Sequence, residues 1–577
     1  MIGYLPNLID YDPIASTCPH IFLTYLTERK GRMAYKSFGT RKTPQREKIP
    51  GKSQVKNNAG GFTFEIDDWA RLNRFLILGS EGGSYYVGES NLTKENAEAV
   101  MRCIEQDGVR VVRTVMEISS SGRAPKNDQA LFVLAMAAGI GNRDTRFVAL
   151  HHGLPAVART GTHLFDFLTY AQNFRGWGRG MRNGVSNWYI QKGVSGVQYQ
   201  AVKYRQRNGW THRDVLRKSH TINGNLSDTF GWITHKKMSP SLVGTIIDGY
   251  EQVQSAKNGK DAARIIRKFN LPREAVPTEF LSRIEVWEAL LENMPITAMI
   301  RNLGKMTSIG LIKPMSQTTK MVIDVVTRED TLLKGRVHPL SILVAMKTYE
   351  QGHGVKGSMT WSPVASIVDA LDDAFYLSFG TVTPTNMRTM YALDVSASMR
   401  SPDLSGMPGI SPRVGSAALA MVAARTEENF MTTAFTSGGN NYMPSKCKRE
   451  YFSTEYGIST LALSTKKRLD DVIRQVSRLP FGGTDCSLPM IYAMNNRIDI
   501  DTFVILTDNE TWAGHIHASQ AIKEYRQAMG INARVSVVSM IPNMFSIADP
   551  SDSGMLDVVG FDTATPNILA AFSLGEI

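Results

Sequence analysis

The sequence predicts two folds in one chain, an all-α array of helix pairs followed by a doubly wound α/β domain, and three observations carry that reading. Its 577 residues exceed what one domain of roughly 100–200 residues would use. From about Phe62 to Gly380 apolar residues recur at helical spacings with few strand signals. After about Thr385 short β-branched apolar runs alternate with helical segments. The composition, 42% hydrophobic and 20% charged, is that of a globular chain able to bury sizeable cores. It has no run of about 18 uncharged apolar residues and no signal-like N-terminal pattern, so a soluble, unsecreted chain without a membrane partner is expected. Cys18, Cys103, Cys447 and Cys486 are dispersed with no Cys-x-x-Cys pair, which argues against a disulfide framework or a cysteine zinc site and suits the cytoplasm.

Residues 1–60 are rich in Lys, Arg, Pro, Gly and polar residues from Lys30 onward, and read as a flexible basic arm. The stretch before Met33 has a different, patternless character, which suggests a start of translation at Met33; intact mass of the native protein checks this. Residues 61–382 form the helical part. Ser362-Pro363 predicts an N-cap with proline at the first helical position, followed by an apolar face at Val364, Ile367, Leu371 and Phe375. Val100 with Ile104, and Ile284, Trp287, Leu291 and Met294, give similar faces, and Pro295 opens the next helix. No exact period is present, so the pattern is compatible with an irregular stack of helix pairs. Residues 383–577 form the α/β part. Strands are predicted at Met390–Asp394, Phe430–Phe435, Thr502–Thr507 and Ala533–Met540, with helices at Gly415–Glu428, Lys466–Arg478 and His517–Met529.

Net charge is +12, and it is unevenly placed. Residues 386–577 hold 16 Lys and Arg against 19 Asp and Glu, which leaves +15 on the first 385 residues. Between Arg175 and His220 ten cations, among them Arg179, Arg182, Lys203, Arg205 and Arg207, face one acid, Asp214. Trp177, Trp188, Tyr189, Tyr199, Tyr204 and Trp210 are interleaved with them. Cations that neutralise phosphates beside rings that stack on bases point to nucleic acid. The alternative is a solvated basic face whose aromatics fill a helical core.

In the α/β part, Asp394-Val395-Ser396-Ala397-Ser398 begins where the first strand ends, and it sets a carboxylate and two hydroxyls on one side of a tight loop. Gly482-Gly483-Thr484-Asp485 adds a hydroxyl from a glycine-bent loop, and Thr507-Asp508-Asn509 a carboxylate directly after a strand. Hard oxygens of this kind suit Mg²⁺ first, with Mn²⁺ or Ca²⁺ as alternatives. Asp485 is open to either role, as a ligand or as a holder of its loop.

These residues resemble the metal-ion-dependent adhesion site of von Willebrand factor A domains, where Asp394, Ser396, Ser398, Thr484 and Asp508 would hold one divalent cation with a position open to a partner's carboxylate. The whole chain from about Gly60 is similar to the Ro autoantigen family, a TROVE module followed by a von Willebrand A-like domain. The resemblance rests on Arg74-Phe75-Leu76-Ile77-Leu78-Gly79-Ser80-Glu81-Gly82-Gly83, Lys203-Tyr204-Arg205-Gln206-Arg207-Asn208-Gly209-Trp210, Arg301-Asn302-Leu303-Gly304-Lys305-Met306, Arg336-Val337-His338-Pro339 and the cation-site segments. It implies a monomeric ring of HEAT-like helix pairs closed by the A domain. It further implies that small noncoding Y RNAs bind its outer surface and that 3' single-stranded ends of misfolded RNAs enter its central hole, with an exoribonuclease as a docking partner. Lys203, Arg207 and His220 match positions tied to Y RNA; Arg159, Arg179 and Arg182 are assigned to the hole by charge. The expected function is non-catalytic RNA quality control. A metal-dependent protein-interaction adaptor is the alternative, and a metal-dependent nuclease ranks lower because two carboxylates are few for two-metal chemistry.

Overall fold

Helices succeed one another through the first two thirds of the chain because apolar side chains recur every three or four residues between capping signals. A computed structural model describes residues 42–577 apart from 82, 356, 381, 405–406, 438–456, 465 and 480–481. The first 41 residues, and with them the start expected at Met33, lie outside the described residues. The helical part opens with α1 (Asp68–Leu78), α2 (Glu89–Ser121), α3 (Asp128–Ile140), α4 (Arg143–Val148), a π-turn at Ala149–Gly153, α5 (Leu154–Val157), α6 (Gly161–Phe174), α7 (Arg179–Lys203) and α8 (His212–Ser219). It continues with α9 (Ser227–His235), α10 (Ile246–Gln254), α11 (Gly259–Phe269), α12 (Ile284–Leu291), α13 (Ile296–Ser308), α14 (Gln317–Val326), α15 (Glu329–Lys334), α16 (Pro339–Glu350) and α17 (Ala365–Leu377). Neighbours pack in pairs, α1 on α2, α3 on α6, α11 on α12 and α16 on α17. No helix among the described residues is long and apolar enough to cross a membrane.

Helix α17 begins later than Ser362-Pro363 predicts: Val364 is its N-cap, still extended at φ −90°, ψ 116°. The ring of Pro363 disfavours helical dihedrals at Ser362, and the Val364 N–H donates to the Tyr349 hydroxyl (3.3 Å) instead of entering a helix. The predicted face is buried at all four positions. Helix α12 stops at Leu291, before Met294, and Ile284 stays 39% exposed.

The C-terminal part contains β5 (Thr389–Asp394), α18 (Pro412–Thr426), β6 (Phe430–Phe435), β7 (Ile458–Thr460), α19 (Leu469–Ser477), α20 (Leu488–Asn495), β8 (Thr502–Thr507), α21 (Ala518–Met529), β9 (Arg534–Ser539), β10 (Phe545–Ser546), β11 (Met555–Val559) and α22 (Thr565–Leu574). Six of these strands form one sheet in the order β11-β9-β8-β5-β6-β7, parallel except at the β7 edge. Every residue of β5 and β8 is buried, as a parallel strand covered on both faces by helices requires.

The expected flexible arm is a correction: from Lys42 to Gly61 the chain packs on the C-terminal domain. A hairpin of β1 (Gln54–Lys56) and β2 (Phe62–Glu65) pairs with β10 through Glu65 and Phe64. Asn57 donates to the Thr511 carbonyl (2.7 Å), and a Cβ on Gly61 would lie 1.9 Å from that carbonyl oxygen, so only glycine fits. Local composition suggested disorder because the partners of these polar side chains are about 450 residues away in sequence.

Both ends of the helical array meet the C-terminal domain. At one end Arg74 pairs with Asp557 (2.6 Å) and Arg123 with Asp562 (2.7 Å). At the other, Arg468 pairs with Asp369, Arg425 with Asp372 (3.5 Å), and Phe375 lies 6.3 Å from Phe561. Between β3 (Gln206–Arg207) and β4 (Trp210–Thr211) a small hairpin links α7 to α8.

Candidate functional site

Strand β5 is flanked by β6 on one side and β8 on the other, so the chain reverses its direction of travel across the sheet between them. The crevice outside the carboxyl ends of β5 and β8 is the switch point at which such sheets bind ligands. Asp394 ends β5 there, and Asp508 follows β8. The Thr507 hydroxyl donates to Asp394 Oδ2 (2.7 Å) and the Ser396 N–H to Asp394 Oδ1 (2.8 Å). The Ser396 and Ser398 hydroxyls are 3.2 Å apart. Buried Arg413 donates to the Val395 and Ser396 carbonyls and fixes this first loop. The second loop joins it where Ala397 N–H donates to the Gly482 carbonyl (3.3 Å), and it meets the third where Trp512 and Ala513 N–H donate to the Thr484 carbonyl (3.1 and 3.0 Å). All five predicted ligands, Asp394, Ser396, Ser398, Thr484 and Asp508, are buried where these three loops converge.

Asp485 is settled as the holder of its loop. Its Oδ1 accepts from the Ser487 N–H (3.0 Å), the Ser487 hydroxyl (2.6 Å) and Gln45 Nε2 (2.8 Å). Gln45, fully buried, also donates to the Ile516 carbonyl and accepts from Thr511 and Gly514. Asn58 Nδ2 and Ala59 N–H donate to the two oxygens of Glu510 (2.7 and 3.0 Å). The N-terminal strap therefore completes the loops around the candidate cation site, and sequence reading missed it because the residues carry no local motif.

Burial pushes the Asp508 carboxyl well up, and Asp394 and Glu510 push it further, with the Ser398 hydroxyl partly offsetting them. Burial likewise raises Asp394, opposed by its hydroxyl partners, and lifts Glu510 to about 7. Asp508 Oδ2 is buried and has no hydrogen-bond partner among the described residues. Crowded carboxylates with an unshared oxygen, surrounded by hydroxyls, fit a hard divalent cation. Among the described residues no group of three or more His, Cys, Asp or Glu is disposed to hold a metal, so this donor set depends on its hydroxyls. Tyr86, in the loop between α1 and α2, feels the same charge: burial raises its phenol first, then Asp508 and Glu510.

The basic window divides by role. Trp188, Tyr189 and Trp210 are core side chains rather than stacking surfaces, a correction to the interleaved-ring expectation; Trp188 Nε1 donates to the Ala158 carbonyl and the Tyr189 hydroxyl meets His212 Nδ1 (2.8 Å). Trp177, Tyr199 and Tyr204 stay half-buried. Lys203 ends α7 with Nζ 3.1 Å from the Tyr199 hydroxyl and 5.4 Å from the Tyr199 and Tyr204 ring centres. Arg205 is tied to the Tyr250 hydroxyl and lies over that ring. Arg207, on the hairpin, is exposed and makes no ion pair among the described residues. His220 caps α8 in the left-handed region (φ 52°, ψ 39°) and is exposed. The eight residues of α8, about 12 Å of helix, separate it from Arg207. Thr221, next to His220, bonds Ser186 (2.9 Å), one turn from exposed Arg182. Arg179 is exposed on the first turn of α7. Arg159 is half-buried, and its guanidinium donates to the Ser119 carbonyl (2.9 Å) and hydroxyl (2.7 Å). Burial and the charge of Arg336 lower its pKa, while Lys192 Nζ donates to its carbonyl (3.0 Å). Arg336 and Lys192 thus join Arg159 in a cationic cluster that sequence reading did not assemble.

Known proteins share this arrangement. The TROVE domain family matches residues 55–272 and 267–348, and the Ro60 vWA domain family matches residues 388–573. The RNA-binding protein RO60 of Deinococcus radiodurans is 39% identical over 541 residues, 92% of this chain and 98% of that protein. The protein of the same name from Caenorhabditis elegans is 34% identical over 617 residues, 92% of each chain. The crystal structure of the Deinococcus radiodurans RO (RSR) protein matches with a TM-score of 0.65 at 38% identity, covering 89% of this chain and 100% of that one. With both domain families matched in order and relatives of this identity aligned along nearly its whole length, the chain belongs to the Ro60 family of TROVE–vWA proteins.

Proposed function

We propose that this protein binds RNA as a non-catalytic scaffold, taking small structured Y-type RNAs on its basic outer surface and single-stranded 3' ends of misfolded RNAs through the ring, in RNA quality control. The observation that carries the reading is the α7–hairpin–α8 surface, where Arg207 and His220 are exposed and Lys203 lies beside them. Relatives along nearly the whole chain are named RNA-binding proteins and not for a reaction. The two carboxylates Asp394 and Asp508 are fewer than two-metal phosphoryl chemistry uses. A salt titration of binding to a structured RNA with a single-stranded tail tests it. In the Lys203→Ala, Arg207→Ala, His220→Ser variant the slope of log K against log salt is expected to fall by roughly 2, one unit for each lost phosphate contact. Equal affinity and equal slope in both proteins sink the assignment of this surface.

In this reading Asp394, Ser396, Ser398, Thr484 and Asp508 hold one divalent cation, Mg²⁺ first and Mn²⁺ or Ca²⁺ as alternatives. The cation supplies a Lewis-acidic position for a carboxylate of a protein partner, such as an exoribonuclease. The partnerless Asp508 Oδ2 supports it. In thermal melts after chelation, adding cation at a hundredfold its dissociation constant is expected to stabilise the wild type by about 2.7 kcal/mol. Asp508→Asn is expected to show no such gain. A variant that gains as much as the wild type moves the cation elsewhere.

A further inference from the structure

Phe147 is the last but one residue of α4 and is 56% exposed, which is unusual for a phenylalanine in a well-packed helical array. Its ring is stacked on His151, centroids 4.6 Å apart and planes 28° from parallel, and meets His152 edge-on at 6.0 Å. The stack exists because the chain inserts a π-turn at Ala149–Gly153 between α4 and α5, a device that recurs at functional positions. Helix α7 braces it: a Cβ on Gly184 would lie 2.9 Å from the Leu150 side chain, and Asn187 Nδ2 donates to the His151 carbonyl (3.1 Å). His151 covers one side of the Phe147 ring, and more than half of the side chain remains open to solvent.

The surroundings are cationic. Arg143 and Arg146 stand on α4 with one acid, Asp144, and Arg179 and Arg182 stand on the first turns of the bracing helix. None of the four arginines makes an ion pair among the described residues. A flat aromatic surface backed by a second ring, on a helix with two arginines and beside a helix whose first turns carry two more, suits an unpaired base with its flanking phosphates. A duplex presents no base face to it, because its bases are stacked inside.

Resting on the RNA-binding reading above, we propose that Phe147 and His151 form a stacking platform for an unpaired base of single-stranded RNA, separate from the Lys203–Arg207 hairpin. The test is fluorescence anisotropy with a short single-stranded oligoadenylate and a blunt-ended RNA duplex, on the full chain. Phe147→Ala, a surface change whose fold is checked by circular dichroism, is expected to weaken oligoadenylate binding by roughly five- to a hundredfold and to leave duplex binding and the salt slope of the oligoadenylate unchanged. Phe147→Trp is expected to restore it. Wild-type affinity for oligoadenylate in Phe147→Ala, an equal loss on the blunt duplex, or no rescue by Trp overturns the platform. A wild type that binds neither RNA defeats the RNA-binding reading as a whole, an outcome distinct from loss of the platform alone.

Discussion

Arg74→Met is expected to destabilise the protein by about 3–5 kcal/mol, the cost of removing one partner of a buried ion pair. Arg74 is fully buried in α1, yet it serves the other domain: Nη2 donates to both oxygens of Asp557 (2.6 Å each). Its Nη1 donates to the Asn543 carbonyl (2.8 Å), the Asn543 side-chain oxygen (2.7 Å) and the Phe545 carbonyl (3.0 Å). Methionine fills much of the volume but leaves Asp557 with the Ser539 hydroxyl (3.2 Å) in place of its cation, and takes the Arg74 donor from three further acceptors. Asn543 Nδ2 in turn donates to the Asp508 carbonyl (2.5 Å), so the same change is expected to loosen the third loop of the candidate cation site. Urea denaturation gives the stability, and divalent-cation titration of the melting temperature gives the coupling. Removing both charges, Arg74→Met with Asp557→Leu, is expected to recover part of the loss. A single variant within 1 kcal/mol of wild type, with its cation response intact, contradicts this account.

The stability that His212 and His338 contribute is expected to fall steeply on acidification below about pH 6.5, because both are buried and neutral in the fold, while Glu510, raised to about 7, works in the opposite sense. Burial lowers each histidine to about 4, against an ordinary value near 6.5. The unfolded chain therefore binds more protons between those values, so the contribution is fully present above about pH 6.5 and is lost as pH falls toward 4. Each histidine accounts for up to about 3 kcal/mol of this loss. His338 shows why the proton is resisted: with Nε2 donating to the Arg123 carbonyl (3.1 Å), Nδ1 is left to accept the Leu340 N–H (3.1 Å), so a second proton would break the cap at the start of α16. Urea melts from pH 7 to 4.5 measure it, and His338→Gln should flatten part of the slope. A His338→Gln profile that parallels the wild type across that range refutes the assignment.

The strands whose ends carry the candidate cation ligands were legible in the sequence. Thr502–Thr507 and Phe430–Phe435 fall where predicted, and β5 and β9 within a residue or so at each end, because a strand buried on both faces is a continuous apolar run. Strands β1, β7 and β10 were not, since two or three residues paired through distant partners leave no pattern to read. The Asp-x-Ser-x-Ser motif points to its candidate ligands locally, yet Gln45, Asn58 and Arg74, which hold the surrounding loops, belong to segments that locally look like a basic tail and an ordinary helix.

By itself the sequence determined the class of each half, the positions of the sheet's main strands along the chain, the five candidate oxygen donors and the location of the positive charge. Periodicity, strand-end motifs and composition are local properties, and each is carried by residues close together in the chain. Tertiary structure alone decided that the arm from Lys42 is a strap, that Trp188, Tyr189 and Trp210 are core, that Arg159 gathers Lys192 and Arg336, and that Phe147 stands exposed on His151. Each of those depends on a buried polar group finding its partner, or on a ring being covered or left open, across sequence separations that no local pattern encodes.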